Sequence, residues 1–405
     1  MTNSSLTSIQ KFSIGLYFAV IFFNLQGLTS FGTTGLLVFG LWAISAMIAF
    51  GRELREFSSS RRFRCLMIFL LFYFLSSTIA ESVTVSVNRC VAFLCVASPI
   101  IMYEIVKDKG DKLKLVFLVF TAIIWCVNII LSYSFMEIIG TENLRGASNF
   151  SDDPQFYIIG VVFNMCYAFS ILVPGMVEVF RKYRAQRGSK LWLRLLLVGI
   201  SVVCLLYLIR AQFMTSLILA VIGAISAYFY KGKKNVITVV VVLAAVAFLF
   251  IEIYPQCRHS INSEKYNDIV YRLDEIYATL TGNSNEAQDM NSRQDLTALS
   301  LETFSRNPIF GVNHKLVGNI HVIDQGVGNH AEWPDSLARY GMFAILLFVF
   351  LWDSLNQQRL MTGAYFPTFL FLLLGFLNPM WFFPQMYATF IVLPLLNDLM
   401  VKDIQ

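Results

Sequence analysis

The sequence predicts an all-α polytopic membrane protein, because of its composition, its apolar runs and the charges of its loops. Hydrophobic residues make up 57% of the 405-residue chain, and charged residues make up only 14%. A water-soluble domain of this length needs more polar surface. The apolar runs are continuous, whereas a transmembrane β-barrel would show short segments of alternating polarity.

We predict about twelve transmembrane helices from the apolar runs of spanning length. These runs cover about 12–29, 31–50, 65–80, 90–106, 115–135, 156–180, 191–208, 212–230, 236–254, 336–352, 364–378 and 386–400. The predicted domains are helices 1–9 in residues 1–254, a large outer loop with short helices over 255–335, and helices 10–12 in 336–405.

The charges of the loops predict the orientation. Lys and Arg are concentrated in alternate connections, at 51–64, 107–114, 181–190 and 231–235. The positive-inside rule places these loops and both termini in the cytoplasm. The segments 81–89, 136–155, 209–211, 255–335 and 378–385 then lie on the outer face. The net charge of +5 is a topology signal and does not indicate nucleic-acid binding.

Arg210 interrupts an apolar run at the predicted outer face. One interpretation is an arginine that extends from a helix end to the lipid head groups. The other is an arginine that faces an outer cavity, where it needs an anionic partner. A guanidinium can bind two phosphate oxygens at once, so a lipid diphosphate would be a suitable partner.

Arg293 follows Asn291 and Ser292, which resemble the N-cap of a helix that extends to about Ser305. In the first turn of that helix, Arg293 would add its charge to free backbone N–H groups and form a phosphate site. A solvated arginine on a surface helix is the equally weighted alternative.

His330 is the third candidate, in the segment Gly-Asn-His-Ala-Glu-Trp-Pro-Asp before the tenth predicted helix. A histidine can accept a proton at neutral pH, and Glu332 and Asp335 are near enough in sequence to orient its ring. A structural histidine at a helix start is the alternative. His314 and His321 lie in the preceding loop, and no His, Cys or Asp spacing predicts a metal site.

Two further arginines are predicted on the outer face. Arg145 begins the loop RGASNFSDDPQF, whose Asp152 and Asp153 are either metal ligands or, as such pairs before proline usually are, turn and cap residues. Arg89 opens the fourth predicted helix. It either joins the same cationic pocket or anchors the helix at the membrane surface.

These features together resemble the bacterial O-antigen polymerase and O-antigen ligase superfamily. The resemblance rests on the single large outer loop between helices 9 and 10 and on Arg210 outside helices 7 and 8. It also rests on three short motifs: SRQDLTALSLETFSRNPIFGV (292–312), GNHAEWPDSLARYGMFA (328–344) and RGASNFSDDPQF (145–156). The sequence departs from the family pattern at Ala331, Gln155, Asn313 and Ala344.

The resemblance implies a C-type glycosyltransferase-like fold and a metal-independent, cofactor-free enzyme in the bacterial cytoplasmic membrane, active on its outer face. The implied donor is a glycan on undecaprenyl diphosphate. Arg210 and Arg293, with Arg145 and Arg89, would bind the diphosphate, and His330 would orient or deprotonate the acceptor hydroxyl in an inverting reaction. Membrane lipids, a chain-length regulator and a flippase are the implied partners.

Polymerase and ligase share a donor but differ in the acceptor. A polymerase extends another lipid-linked repeat unit, whereas a ligase transfers the glycan to lipid A core or another carrier. The segment HAEWPDSLARYGMFA resembles polymerases of surface polysaccharides more than ligases, so the resemblance favours the polymerase. A flippase-like transporter is disfavoured, because the polar residues cluster on one face and no halves repeat. In a structural or sensor protein, the third class, the arginines would be exchangeable.

Overall fold

The computed structural model describes residues 6–25, 33–139, 157–186, 189–230, 236–261, 267–282, 288–316, 322–362 and 365–401. These residues form helices, turns and loops, and no strand occurs among them. The α-helices are α1 Ser8–Leu25, α2 Thr33–Ala49, α3 Gly51–Ser58, α4 Arg61–Ala80, α5 Val83–Val106, α6 Asp111–Ile139, α7 Tyr157–Arg184, α8 Leu191–Arg210, α9 Met214–Phe229, α10 Val236–Arg258, α11 Asn267–Thr281, α12 Gln288–Arg306, α13 Glu332–Tyr340, α14 Ala344–Thr362, α15 Tyr365–Leu377, α16 Phe383–Tyr387 and α17 Leu393–Met400.

Seven helical segments in the described part of the chain are long and apolar enough to cross a membrane. They are Ser8–Leu25, Arg61–Ala80, Val83–Val106, Asp111–Ser134, Leu191–Arg210, Val240–Arg258 and Glu332–Gln358. The pair Leu37–Ala49 and Gly51–Ser58, bent by 97°, would make an eighth. The helical class with several apolar helices is confirmed, whereas the count of twelve stays a prediction.

The chain divides into two compact units. The first contains Met1–Val127 and Asp295–Leu399, and the second contains Asn128–Gln294 and Met400–Gln405. The boundaries therefore fall inside α6, α12 and α17. The predicted division at residues 254 and 335 follows the membrane topology and stays a prediction.

The first unit contains a helical hairpin of α4 and α5. The Ser60 hydroxyl accepts a hydrogen bond from the Phe63 amide at the start of α4, and Ser82 does the same for Val85 at the start of α5. Only Glu81 and Ser82 separate the two helices, so they run antiparallel. The 24 residues of α5 extend roughly 36 Å, enough to span a bilayer.

The far end of this hairpin carries a buried ion pair. Arg62 Nη2 lies 2.9 Å from Glu104 Oε1, and each side chain is only 7% exposed. Lys107 Nζ lies 2.8 Å from the other oxygen of Glu104. Two cations therefore share one carboxylate, which offsets part of the cost of burying it. The basic end of the hairpin is thus opposite the Glu81–Ser82 turn.

The last helical segment of the first unit contains a π-helical stretch, Ala388–Val392, between α16 and α17. The Gln358 side chain of α14 donates a hydrogen bond to the Phe390 carbonyl at 3.0 Å. Such stretches interrupt regular helical bonding, so the buried amide of Gln358 stabilises this one. Residues 378–382 form the loop between α15 and α16, within the segment 378–385 that was predicted to connect helices 11 and 12.

The second unit packs α7 against α8 and α9. Asp274 of α11 joins this helix to the end of α10, because it accepts two hydrogen bonds from Arg258 Nε and Nη2 (2.8 and 2.9 Å) and one from the Tyr254 hydroxyl (2.6 Å). Burial favours a higher pKa for Asp274, but these hydrogen bonds outweigh burial and lower the pKa. The contact therefore stabilises the fold above the unfolded-state pKa and is lost as the pH falls through the lower folded-state pKa.

Candidate functional site

A cavity of about 330 Å³ lies within the first unit. It is walled by α4, α5, α13 and the loop between α15 and α16. The polar residues that line it are Arg89, Asn329, Glu332, Asp335, Ser336 and Arg339, and the aromatic ones are Tyr73, Phe93, Tyr340, Trp381 and Phe382. This mixture of a few polar groups with an aromatic wall is typical of a small-molecule site.

Helix α13 contributes one face to this cavity. Glu332, Asp335, Ser336 and Arg339 follow one another at spacings of three, one and three residues, which places all four on one side of a helix. Two of them, Glu332 and Asp335, were sequence candidates. Ser336 and Arg339 were missed, although the helical spacing from Glu332 was a signal that could have found them.

Asp335 fixes the backbone of the loop that carries His330. Its buried carboxylate accepts hydrogen bonds from the backbone amides of His330 (2.7 Å) and Ala331 (2.9 Å) and from the Ser300 hydroxyl (2.6 Å). The Ser300 hydroxyl in turn accepts a bond from the Gly328 amide at 2.8 Å. A carboxylate that receives three donors holds them firmly, so residues 328–331 are fixed to α12 and α13.

Glu332 connects α13 to the loop between α15 and α16. Its carboxylate accepts hydrogen bonds from the backbone amides of Met380 (2.9 Å) and Trp381 (3.2 Å) and from the Ser336 hydroxyl (3.2 Å). The two carboxylates were predicted to orient the imidazole of His330. These contacts show that they position the loops on either side of the cavity.

Arg339 joins the opposite end of α13 to the same His330 loop. Its Nη2 donates a 2.7 Å hydrogen bond to the side-chain oxygen of Asn329, the residue before His330. Asn329 has a φ of 53°, a left-handed conformation that asparagine tolerates better than most residues. His330 is half-buried and directly follows Asn329, which lines the cavity.

Arg89 lies on the opposite wall, from α5. The helix begins at Val83, seven residues before the predicted start, so Arg89 lies in its second turn. Its Nη2 is 2.6 Å from Glu81 Oε1 in the turn after α4, and the arginine side chain is 22% exposed. Arg89 and Arg339 therefore line one cavity. That Arg89 shares a cationic pocket with Arg145, Arg210 and Arg293 stays a prediction.

The aromatic wall is formed by the stacked rings of Phe93 and Trp381, with centroids 4.2 Å apart and planes inclined by 19°. Trp381 Nε1 is buried and has no hydrogen-bond partner among the described residues. Nothing in the sequence around Trp381 pointed to the site, because the residue lies about 50 positions after His330 in a loop that only the fold brings close.

Two glycines allow two of the short motifs to pack against each other. Gly311, from Pro-Ile-Phe-Gly, and Gly341, from Tyr-Gly, have φ angles near 60°. The backbone at each glycine lies directly against the backbone at the other. A Cβ on Gly311 would lie 2.3 Å from the Arg339 carbonyl oxygen, and the Val312 amide donates to the Ala338 carbonyl at 3.0 Å. This close approach fixes the end of α13 and requires glycine at both positions.

Asn313, one of the positions where the sequence departs from the motif that it resembles, has a structural role of its own. Its side-chain amide donates to the hydroxyls of Ser76 (2.7 Å) and Ser77 (3.2 Å) on α4. Asn313 therefore adds a buried contact between the segment after α12 and α4.

The remaining candidates lie elsewhere. Helix α12 begins at Gln288, so the predicted start at Asn291 and Ser292 is wrong and Arg293 lies in the second turn. Asparagine and serine are tolerated within a helix, which makes this cap signal weak. Arg293 and Arg210 belong to the second unit. Arg145, Asp152 and Asp153 lie outside the described residues.

Arg210 is the last residue of α8, and its guanidinium carbon lies 5.4 Å from the centre of the Tyr133 ring. A cation is favoured at the C-terminus of a helix by the helix dipole and over an aromatic face by the ring quadrupole. Both contacts stabilise the charge without excluding a phosphate ligand, so both interpretations of Arg210 stand.

The chain was compared with protein-family models and with curated proteins, and neither comparison found a match.

Proposed function

We propose that this protein is a bacterial membrane glycosyltransferase that polymerises lipid-linked oligosaccharide repeat units into O-antigen or another surface polysaccharide. The observation that carries the proposal is the cavity of the first unit beside a tethered histidine. The half-buried His330 is held by Asp335 and by Arg339 through Asn329, next to a pocket with both polar and aromatic walls.

In the proposed reaction, the bond between the anomeric carbon of the donor glycan and the phosphate oxygen breaks. A bond from that carbon to the acceptor hydroxyl oxygen forms with inversion, and the hydroxyl proton passes to the imidazole of His330. Undecaprenyl diphosphate leaves with the bonding electron pair. Arginine contacts that strengthen as charge grows on this leaving group would accelerate the reaction.

Arg210, Arg293 and Arg145 are the proposed ligands of the diphosphate, on the grounds of the resemblance alone. Arg89, which the resemblance adds to them, lines the cavity of the first unit. The proposal keeps the twelve-helix C-type fold, with both termini in the cytoplasm and the site on the outer face. The hairpin of α4 and α5 supports this orientation, because its basic Arg62 end and its cavity end are opposite. A flippase and a chain-length regulator are the proposed protein partners.

Lysine substitution of Arg210 tests its proposed role. A fork of two N–H donors would be replaced by a point charge, so we expect the Arg210→Lys protein to lose about tenfold or more of its polymerising rate. Arg194→Lys, at the opposite end of the same helix, is the matched control and should retain its rate. Equal rates for the two variants would mean that Arg210 is only a membrane anchor.

A deletion strain separates the proposed polymerase from a ligase. Loss of a polymerase leaves single repeat units on the final acceptor, because one unit can still be transferred. Loss of a ligase leaves long chains on undecaprenyl diphosphate. We expect single repeats when the surface polysaccharide is resolved by gel electrophoresis, and long lipid-linked chains would favour the ligase.

A further inference from the structure

The charges of the cavity walls do not suit a diphosphate. Glu332 and Asp335 line it together with Arg89 and Arg339, and Arg89 is paired with Glu81. A ligand with several negative charges would approach two fixed carboxylates, which opposes binding. A neutral polar ligand meets no such repulsion.

The hydrogen-bonding groups of the walls point to a ligand rich in acceptor oxygens. The carboxylates of Glu332 and Asp335 already receive three hydrogen bonds each. In contrast, Trp381 Nε1 and Arg339 Nε are donors without acceptors among the described residues. Buried donors of this kind are costly unless something supplies an acceptor.

The aromatic residues of the cavity offer such a ligand a second kind of contact. The Phe93–Trp381 stack lies beside Phe382, whose side chain is 38% exposed. A sugar ring combines an apolar C–H face with a rim of hydroxyl oxygens, and it therefore matches an aromatic wall flanked by donors. The volume of about 330 Å³ is at the small end for ligand pockets, which suits one end of an oligosaccharide.

We infer that this cavity is the acceptor-sugar subsite, in which Trp381 and Arg339 bind the sugar whose hydroxyl His330 activates. The inference rests on the proposed function and adds the chemical class of the ligand at this position. It also assigns Arg89 to the acceptor-sugar subsite. The ion pair with Glu81 positions Arg89 on the wall of the cavity opposite Arg339.

Binding measurements test the subsite without requiring turnover. The probe is the methyl glycoside of the repeat-unit oligosaccharide, prepared from the producing strain, and the protein is the full chain in lipid nanodiscs. We expect Trp381→Ala and Arg339→Gln to weaken binding of this probe about tenfold or more. Trp381→Phe, which keeps the stack and removes the donor, should weaken binding about threefold.

Three measurements distinguish a binding role of Trp381 from a purely structural one. Trp352→Ala, a change at an exposed tryptophan of α14 outside the cavity, should bind the probe normally. The melting temperatures of the Trp381→Phe and wild-type proteins should agree, so that this variant remains informative if Trp381→Ala unfolds. Farnesyl diphosphate, a probe for the diphosphate ligands, should bind wild-type and Trp381→Phe proteins equally.

Three results would overturn the inference. The wild-type protein does not bind the methyl glycoside, or Trp381→Phe and Arg339→Gln bind it as tightly as the wild-type protein does. In the third, these two variants lose binding of farnesyl diphosphate instead. Failure of the proposed function looks different. In that case the wild-type protein forms no polymer from lipid-linked repeat units, whatever it binds.

Discussion

Replacement of His330 by alanine should lower the rate of polymer formation about 100- to 10,000-fold, the usual contribution of a general acid–base group. The loop around His330 is held through backbone contacts with Asp335, and these contacts do not depend on the imidazole. The His330→Ala protein should therefore fold normally and bind the oligosaccharide probe with little change. The rate is measured with lipid-linked repeat units in reconstituted vesicles.

His259→Ala is the matched control for this prediction. His259 is an exposed histidine in the turn after α10, and its loss should leave the rate unchanged. If His330→Ala polymerises at the wild-type rate, His330 is a structural residue and the catalytic half of the proposal is wrong.

Replacement of Asp335 by alanine should have the largest effect on folding. The change removes a buried carboxylate and leaves three donors without an acceptor: the Ser300 hydroxyl and the amides of His330 and Ala331. Bonds to a charged group contribute more than neutral ones, so we expect a loss of about 3 kcal/mol in the free energy of unfolding. Activity should fall as well, because the His330 loop loses its attachment.

Asp335→Asn is expected to show a smaller loss, because one acceptor oxygen remains. Asp295→Ala, at an exposed carboxylate of α12, serves as the control and should melt like the wild-type protein. Thermal melting in detergent, followed by tryptophan fluorescence, compares the four proteins. A melting temperature for Asp335→Ala equal to that of wild type would contradict the described role of the carboxylate.

The helical membrane class could be predicted from the sequence, because long continuous apolar runs are typical neither of a water-soluble domain nor of a transmembrane β-barrel. Helix ends were harder to predict. The start of α12 was placed three residues late at Asn291, and α5 starts at Val83, well before its apolar run. At α12 an apparent N-cap lies inside the helix, and at α5 polar residues extend the helix before the apolar run that hydropathy identifies.

The candidate site was predicted in part. Arg89, Glu332 and Asp335 do line one cavity together with Asn329, the residue before His330. The roles of the two carboxylates were not predictable, because their partners are backbone amides and Ser300. Trp381 was missed for a similar reason, since no sequence pattern links it to a residue on a different helix.

The most direct test of the proposed function is a reconstitution with the purified protein in liposomes and lipid-linked repeat units as the only substrate. We expect a ladder of products that grows by one repeat unit at a time, with release of undecaprenyl diphosphate for each unit joined. Repeat units that stay unjoined in the presence of folded protein would contradict the proposed function.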